Sequence, residues 1–368
     1  MQKECVVNNT SNLKKTVLLV STRFSPGMVN HMKAQSILFS ELGWHTRLLL
    51  DCRYLDEMPY EFVGMEACTN IEDCQLDDVA TLVIHNSNPA DLRLFRIAKA
   101  SGATVYFTLH EPAKGLLNLI LRGPIRAIRG LSVDVVNAAL SKMADTILLP
   151  SDRAIFLYEK RMRFINHSYI KVPLLFDDVL MTGEQRKHLS FIGNFILVHG
   201  SKEFISFMHY ATVQDQNITF EIVTKEDLTQ LLAREDVSQL VESNRLKVQH
   251  GRPLSNKEID EAFQRSQCVW MAYNDSTQSG TLINAFRNAT PVIATRLDSF
   301  RELIRPGING EFVTSPSSYE EILHSFSRIS EYNDRYVNAA KCSFINSEHY
   351  YKTYFDKAAS IFGIGPNT

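Results

Sequence analysis

The residues best placed to do chemistry lie in the run Thr277-Gln278-Ser279-Gly280-Thr281, between the apolar stretch "CVWMAY" and the helical pattern "TLINAFRNA". Ser279 is a natural helix cap, and Gly280 has no side chain to keep a ligand from the first-turn amides. Unpaired N–H groups and the helix dipole there make a seat for an anion, although many capped strand-loop-helix units bind nothing. Leu282, Ala285, Phe286 and Ala289 share one face of the helix, Thr281, Asn284 and Asn288 the other, and the polar face is expected to look out of the core. Further on, Ser299 and Glu302 fit a capping box, with Pro306-Gly307 closing that helix.

A second chemical group is His110-Glu111 at the end of the apolar run "TVYFTLHE". Glu111 is a candidate acid or base and equally a partner for Lys114; His110 is a candidate ligand contact and equally a strand-end histidine with a structural hydrogen bond. Beyond it, Lys114 to Val133 interleaves Lys114, Arg122, Arg126 and Arg129 with leucines and isoleucines. That mixture suits an anionic lipid surface, or else a buried helix with an arginine rim. The segment has no aromatic residue to stack on bases, which argues against nucleic acid.

Alternating elements must position these groups. The first half reads strand, helix, strand through "TVLLVSTRF", "MKAQSILFSELG" and "HTRLLLD", and continues through "ATLVIHN", "LRLFRIAKASG", "TVYFTLHE", "VDVVNAALSKMAD" and "TILLPS". The second restarts with "HLSFIGNF", "SKEFISFMHYA", "TFEIVTK", "EDLTQLLARE", "LKVQHGRP", "NKEIDEAFQRS" and "CVWMAY". Apolar strands alternating with amphipathic helices predict two α/β, doubly wound parallel-sheet domains. Residues 1–175 form the first, 176–345 the second, and 346–368 a final helix; the linker falls within Val172 to His188. Ligands of such sheets sit beyond the carboxyl ends of the strands, so the functional site is expected in a cleft between the domains.

The 368 residues suffice for two cores, and 22% charged residues with a net charge of -2 exclude a basic nucleic-acid footprint across the whole protein. Six scattered cysteines without zinc-ligand spacing read as buried free thiols of a reducing compartment, and no signal-peptide or membrane-spanning run is apparent. A cytoplasmic protein is the expectation.

The stretch "QSGTLINAFRNATPVIATRLDSFRELIRPGINGEFV", with "FTLHEP", "LSFIGNF", "HGSKEFI" and "VQHGRPLSNKEIDEAFQRSQCVWMAY" in order, resembles GT-B glycosyltransferases, particularly the family 4 type of bacterial polysaccharide clusters. The resemblance covers most of the chain. It implies two Rossmann-like domains facing across a cleft, with a C-terminal helix returning to the first. It implies a nucleotide sugar against the second domain, its diphosphate on the helix at Gly280, with Thr277, Gln278, Ser279, Gly280 and Thr281 as donors and His110 reaching the sugar from the first domain. No metal or other cofactor is expected, since no Asp-x-Asp occurs. The implied partners are the nucleotide-sugar donor, a lipid-linked glycan acceptor and the inner face of an anionic plasma membrane, met peripherally. The implied reaction is glycosyl transfer to a surface polysaccharide, O-antigen or capsule, with retention of configuration.

The family pattern is incomplete here. Where relatives carry a pair of glutamates, this chain has Ser276 and Asn284; where they carry Arg and Lys after the first strand of the second domain, it has Asn194 and His199, following Gly193. Lys202, Arg252 or another cation is the expected replacement. An active variant is the principal reading and a non-catalytic, partner-stabilising or glycan-binding relative the rival. An epimerase has no carboxylate set to favour it.

Overall fold

The computed structural model describes residues 15–85, 88–110, 112, 124–181, 185–214, 216–276 and 279–362, with residues 124–130 described by their helical backbone. Within them stand two parallel sheets. The first contains β1 (Thr16–Ser21), β2 (His45–Leu50), β3 (Glu66–Cys68), β4 (Val79–Ile84), β5 (Thr104–Thr108), β6 (Thr146–Leu149) and β7 (Tyr169–Lys171) in the order β3-β2-β1-β4-β5-β6-β7. The second contains β8 (His188–Ile192), β9 (Thr219–Val223), β10 (Leu246–Gln249), β11 (Ser266–Met271), β12 (Val292–Thr295) and β13 (Gly310–Val313) in the order β10-β9-β8-β11-β12-β13.

The central strands are largely apolar and buried along their length because helices cover both sheet faces, which removes the alternation an exposed face would impose. Thus Val17, Leu18, Leu19 and Val20 of β1 and Cys268, Val269, Trp270 and Met271 of β11 are all buried. In each sheet the strand order reverses once, between β1 and β4 and between β8 and β11, and the loops leaving the strands diverge there.

The chain crosses from the first sheet to the second after β7, and Phe176 pairs with the end of the molecule: its amide donates to the carbonyl of His349 (2.8 Å) and its carbonyl accepts from Tyr351 (3.1 Å). The last helix, Tyr351–Ile361, then returns to the first domain, as the sequence led us to expect. Phe362 lies edge-on to Phe39 (4.9 Å) and Tyr106 (5.0 Å), and the Tyr354 hydroxyl donates to the Lys171 carbonyl (3.0 Å).

Four local expectations are corrected. Cys68 and Cys74 form a disulfide, while Cys52 and Cys342 are exposed, so only Cys268 is the buried free thiol expected of all six among the described cysteines. "EDLTQLLARE" is not one helix: Thr229–Leu232 is a single turn, and a separate helix, Glu235–Glu242, follows it. Ser299 caps nothing. Its helix, Asp298–Arg301, ends well before Pro306-Gly307 and starts after Leu297, and the Ser299 hydroxyl donates to the carbonyl of Ser276 (3.0 Å). Asn288 is fully buried, donating to Asp260 (2.8 Å) and accepting from Gln264 (3.0 Å); the polar face of its helix packs inward at that end because a buried carboxylate needs donors.

Candidate active site

A cleft of about 670 Å³ lies between the two sheets at the carboxyl ends of their strands. The first domain lines it with the loop after β1 (Phe24, Ser25, Gly27, Met28), with Arg53 and Met58, and with His110. The second lines it with Gly193, Asn194 and His199 after β8, Thr224 and Lys225 after β9, Pro253 and Leu254 after β10, and Tyr273, Ser279, Gly280, Thr281 and Asn284 after β11. Switch-point loops of both sheets therefore converge on one space.

The helix Gly280–Arg287 points its amino end into this cleft. The Ser279 hydroxyl caps it, accepting from the Leu282 amide (3.3 Å), and its first turn holds no acidic residue to repel an anion. A Cβ at Gly280 would meet nothing within 4 Å among the described residues, so there is open space over the first-turn amides. Facing it, Gly193 has φ +113°, and a Cβ there would lie 3.3 Å from Thr281 Oγ1. Only glycine permits that approach at that backbone angle.

The loop after β8 is held by the same device. Gly200 has φ +75°, and a Cβ would lie 2.4 Å from the Ala272 carbonyl oxygen. The turn Leu197–His199 is thereby pressed onto the end of β11, where Asn274 donates from its amide to Val198 (2.8 Å) and from its side chain to Leu197 (3.0 Å). The His199 ring stacks on Tyr273, with centroids 4.2 Å apart and planes 10° apart, and Nδ1 donates to the Asn194 carbonyl (3.0 Å). Burial lowers the His199 pKa, and burial raises that of Tyr273, whose phenol is hydrogen-bonded to Thr281.

On the opposite wall, His110 ends a row of imidazoles: it lies 6.3 Å from His85, which lies 5.1 Å from His31. His31 Nδ1 accepts from the Leu175 amide (2.7 Å) and His85 Nε2 pairs with Gln35 (2.8 Å). Burial, then the neighbouring His110, lowers His31 to about 3, and burial holds His85 well below its ordinary value. The wall behind His110 is thus uncharged at neutral pH. His31 and His85 were missed in the sequence; the position of His85 at the end of an apolar strand was the available signal.

Neither of the two cations named from the sequence lines the cleft. Lys202 is exposed outside the cleft, and Arg252 pairs with Glu258, whose pKa that guanidinium holds at about 2. Lys225 and Arg53 border the cleft instead. Arg53 is bound by both carboxylate oxygens of Asp51 (2.9 and 2.8 Å) and lies over the Phe24 ring, 5.2 Å from its centroid. Among the described residues Lys225 is in no ion pair. Its place directly after β9 was the overlooked signal.

Of the remaining residues, Asn284 lines the cleft, whereas Ser276 stands behind it, tied to Ser299. Glu111, Lys114, Arg122, Thr277 and Gln278 lie outside the described residues. Arg126 and Arg129 fall within the helix Pro124–Met143, described there by its backbone. Among the described residues no group of three or more histidines, cysteines or carboxylates is disposed to hold a metal, and no helix is long and apolar enough to cross a membrane.

The domains meet across the cleft at Glu61. Its carboxylate accepts from the Asn256 amide (3.1 Å) and side chain (3.0 Å) and pairs with Lys33 (2.8 Å), while Asn256 also donates to Asn30 (2.6 Å). Asn256 opens the helix Asn256–Arg265, so a first-domain carboxylate sits at a second-domain helix amino terminus.

Comparison with known proteins agrees with this geometry. Residues 186–331 match the family model of the glycosyl transferases group 1. No curated protein matches the chain by sequence. Among solved structures, a glycosyltransferase from Rickettsia africae ESF-5 superposes with a TM-score of 0.67 at 13% identity, covering 97% of this chain and 100% of its own. Anabaena Alr3699/HepE in complex with UDP and glucose gives 0.67 at 14% identity, covering 95% and 99%. TarM of S. aureus, in a complex that includes UDP, gives 0.58 at 8% identity over 78% of this chain and 55% of that one. The architecture is that of the GT-B fold. The family match falls in the second domain, over residues 186–331, and the likeness to the solved structures extends over both domains.

Proposed function

We propose that the chain transfers a glycosyl group from a nucleoside diphosphate sugar, bound in the cleft, to the hydroxyl of a lipid-linked or polysaccharide acceptor in surface-polysaccharide, O-antigen or capsule synthesis. One observation carries this reading: the open amino terminus of the helix Gly280–Arg287 faces Gly193 in a cleft between two nucleotide-binding-type sheets. Such a terminus holds a diphosphate by oriented amides and stabilises it as it leaves, without a metal. In this reading His110, which lines the opposite wall, meets the donor sugar, and Asn284, which lines the cleft from that helix, meets the ribose. We read the reaction as retaining. UDP, present in the HepE and TarM complexes, is the first nucleotide to try.

The acceptor reading rests on the basic and apolar run Lys114 to Val133. Leu131 and Val135, 53% and 61% exposed one turn apart on the helix Pro124–Met143, extend an apolar face suited to a peripheral membrane contact.

The test is calorimetric titration of UDP, GDP, TDP, ADP and CMP into the wild type and Gly280→Trp. A Cβ at Gly280 meets nothing within 4 Å, and the indole is introduced to cover the first turn. One nucleotide should bind the wild type, with at least a tenfold loss in the variant, and its sugars should then be tried for transfer in EDTA with the anomeric configuration of the product read by NMR. A folded wild type that binds none of the five refutes the donor site and favours a non-catalytic partner role.

A further inference from the structure

We propose that His199 is the titrating cation of the diphosphate seat, taking up a proton when a nucleoside diphosphate enters the cleft, while Lys225 supplies the permanent charge. This rests on the donor-site reading above.

The hydrogen-bond geometry carries the argument. A carbonyl oxygen only accepts, so the 3.0 Å contact from Nδ1 to the Asn194 carbonyl keeps a proton on Nδ1 in both charge states. The proton that comes and goes is therefore on Nε2. In the neutral ring Nε2 offers a lone pair, which repels a phosphate oxygen; in the imidazolium it offers a donor. The near-parallel stack on Tyr273, and the bond from Tyr273 to Thr281 on the helix, hold the ring against the cleft.

The surrounding charges set the balance. Glu226, on the loop after β9, is the carboxylate whose charge favours the imidazolium; it accepts from the Phe195 amide (3.2 Å) and from the Thr224 hydroxyl. Lys225, on the same loop, is exposed to solvent, which screens it, and Tyr273 stays a neutral phenol. Lys202 on the following helix and Asp275 on the loop after β11 are exposed to solvent, which screens them. Burial lowers His199 in the free protein, so the ring starts neutral at pH 7. A diphosphate against it raises its pKa. Binding is then linked to proton uptake, and affinity falls as pH rises between the free and bound pKa values, by at most about tenfold per pH unit.

The nucleotide selected above, UDP first, is titrated by calorimetry from pH 6.5 to 8.5 in Pipes, Hepes and Tris, whose different ionisation heats report protons exchanged. Comparing wild type, His199→Gln and His199→Lys cancels ionisation of the nucleotide itself. The wild type should take up about 0.3–0.8 more protons per nucleotide at pH 7 than His199→Gln. Its affinity should fall about 3–30-fold more steeply across the range. His199→Lys should bind with neither effect. Equal uptake and equal pH dependence in wild type and His199→Gln would overturn the assignment while leaving the donor site standing. If none of the five nucleotides binds, the donor-site reading fails, and this inference with it.

Discussion

Replacing Arg287 by methionine should destabilise the second domain in a way that acid relieves. Arg287 closes the far end of the helix whose amino terminus opens on the cleft, and it is 4% exposed. Its Nη1 donates to both oxygens of Asp260 (3.0 and 3.2 Å) and its Nε to the Asp178 carbonyl (3.2 Å), while its Nη2 forms an ion pair with Asp177 (2.5 Å). Methionine fills most of the volume but leaves the Asp260 carboxylate facing only Asn288. Breaking one side of a buried pair costs about 3–5 kcal/mol. Burial already raises the Asp260 pKa, an effect that Arg287 opposes, so the variant's value must lie higher still. The sign follows. A carboxylate whose folded pKa exceeds its unfolded one binds more protons when folded, so stability rises as pH falls through the folded value. The penalty should be largest at pH 7–8 and shrink by roughly 1–2 kcal/mol by pH 5. Urea unfolding of both proteins at pH 5, 6, 7 and 8 measures it. A penalty below about 1 kcal/mol at pH 7, or one that grows on acidification, refutes the assignment of an uncompensated buried charge.

Two further perturbations test how the cleft is built. Glu61→Ala removes two hydrogen bonds between the domains and the ion pair with Lys33 that orients the carboxylate, and should weaken nucleotide binding about 5–50-fold while leaving urea unfolding of the full chain nearly unchanged; an unaltered Kd together with an unaltered scattering radius would show the contact to be idle. Gly200→Ala forces a Cβ to within 2.4 Å of the Ala272 carbonyl at φ +75°, so a loss of roughly 2–5 kcal/mol is expected by chemical denaturation, with the turn at His199 displaced; a neutral substitution would mean that the turn yields easily.

The sheets were legible because buried parallel strands announce themselves as unbroken apolar runs, and the helix cap at Ser279 because capping is decided within three residues. The failures were of a different kind. Asn288 sits on the polar side of its helix by periodicity, yet Asp260, far off in the chain, draws it inward. Ser299 and Glu302 have the spacing of a capping box, but the Ser299 hydroxyl is taken by Ser276 across the loop. Arg252 looked available until Glu258, one helical turn into the next element, paired with it.

By itself, then, the sequence determined the alternation of strands and helices, the two-domain architecture, and the Ser279 cap of the helix at Gly280, since each follows from propensities and patterns a few residues long. Which side chains share the cleft was decided only by tertiary structure. Lys225, Arg53 and His110 come from two loops and a short helix well apart in the chain, and the tautomer of His199 depends on a carbonyl that folding brings beside it. Charge and proton affinity are properties of neighbours in space, and no spacing along the chain encodes them.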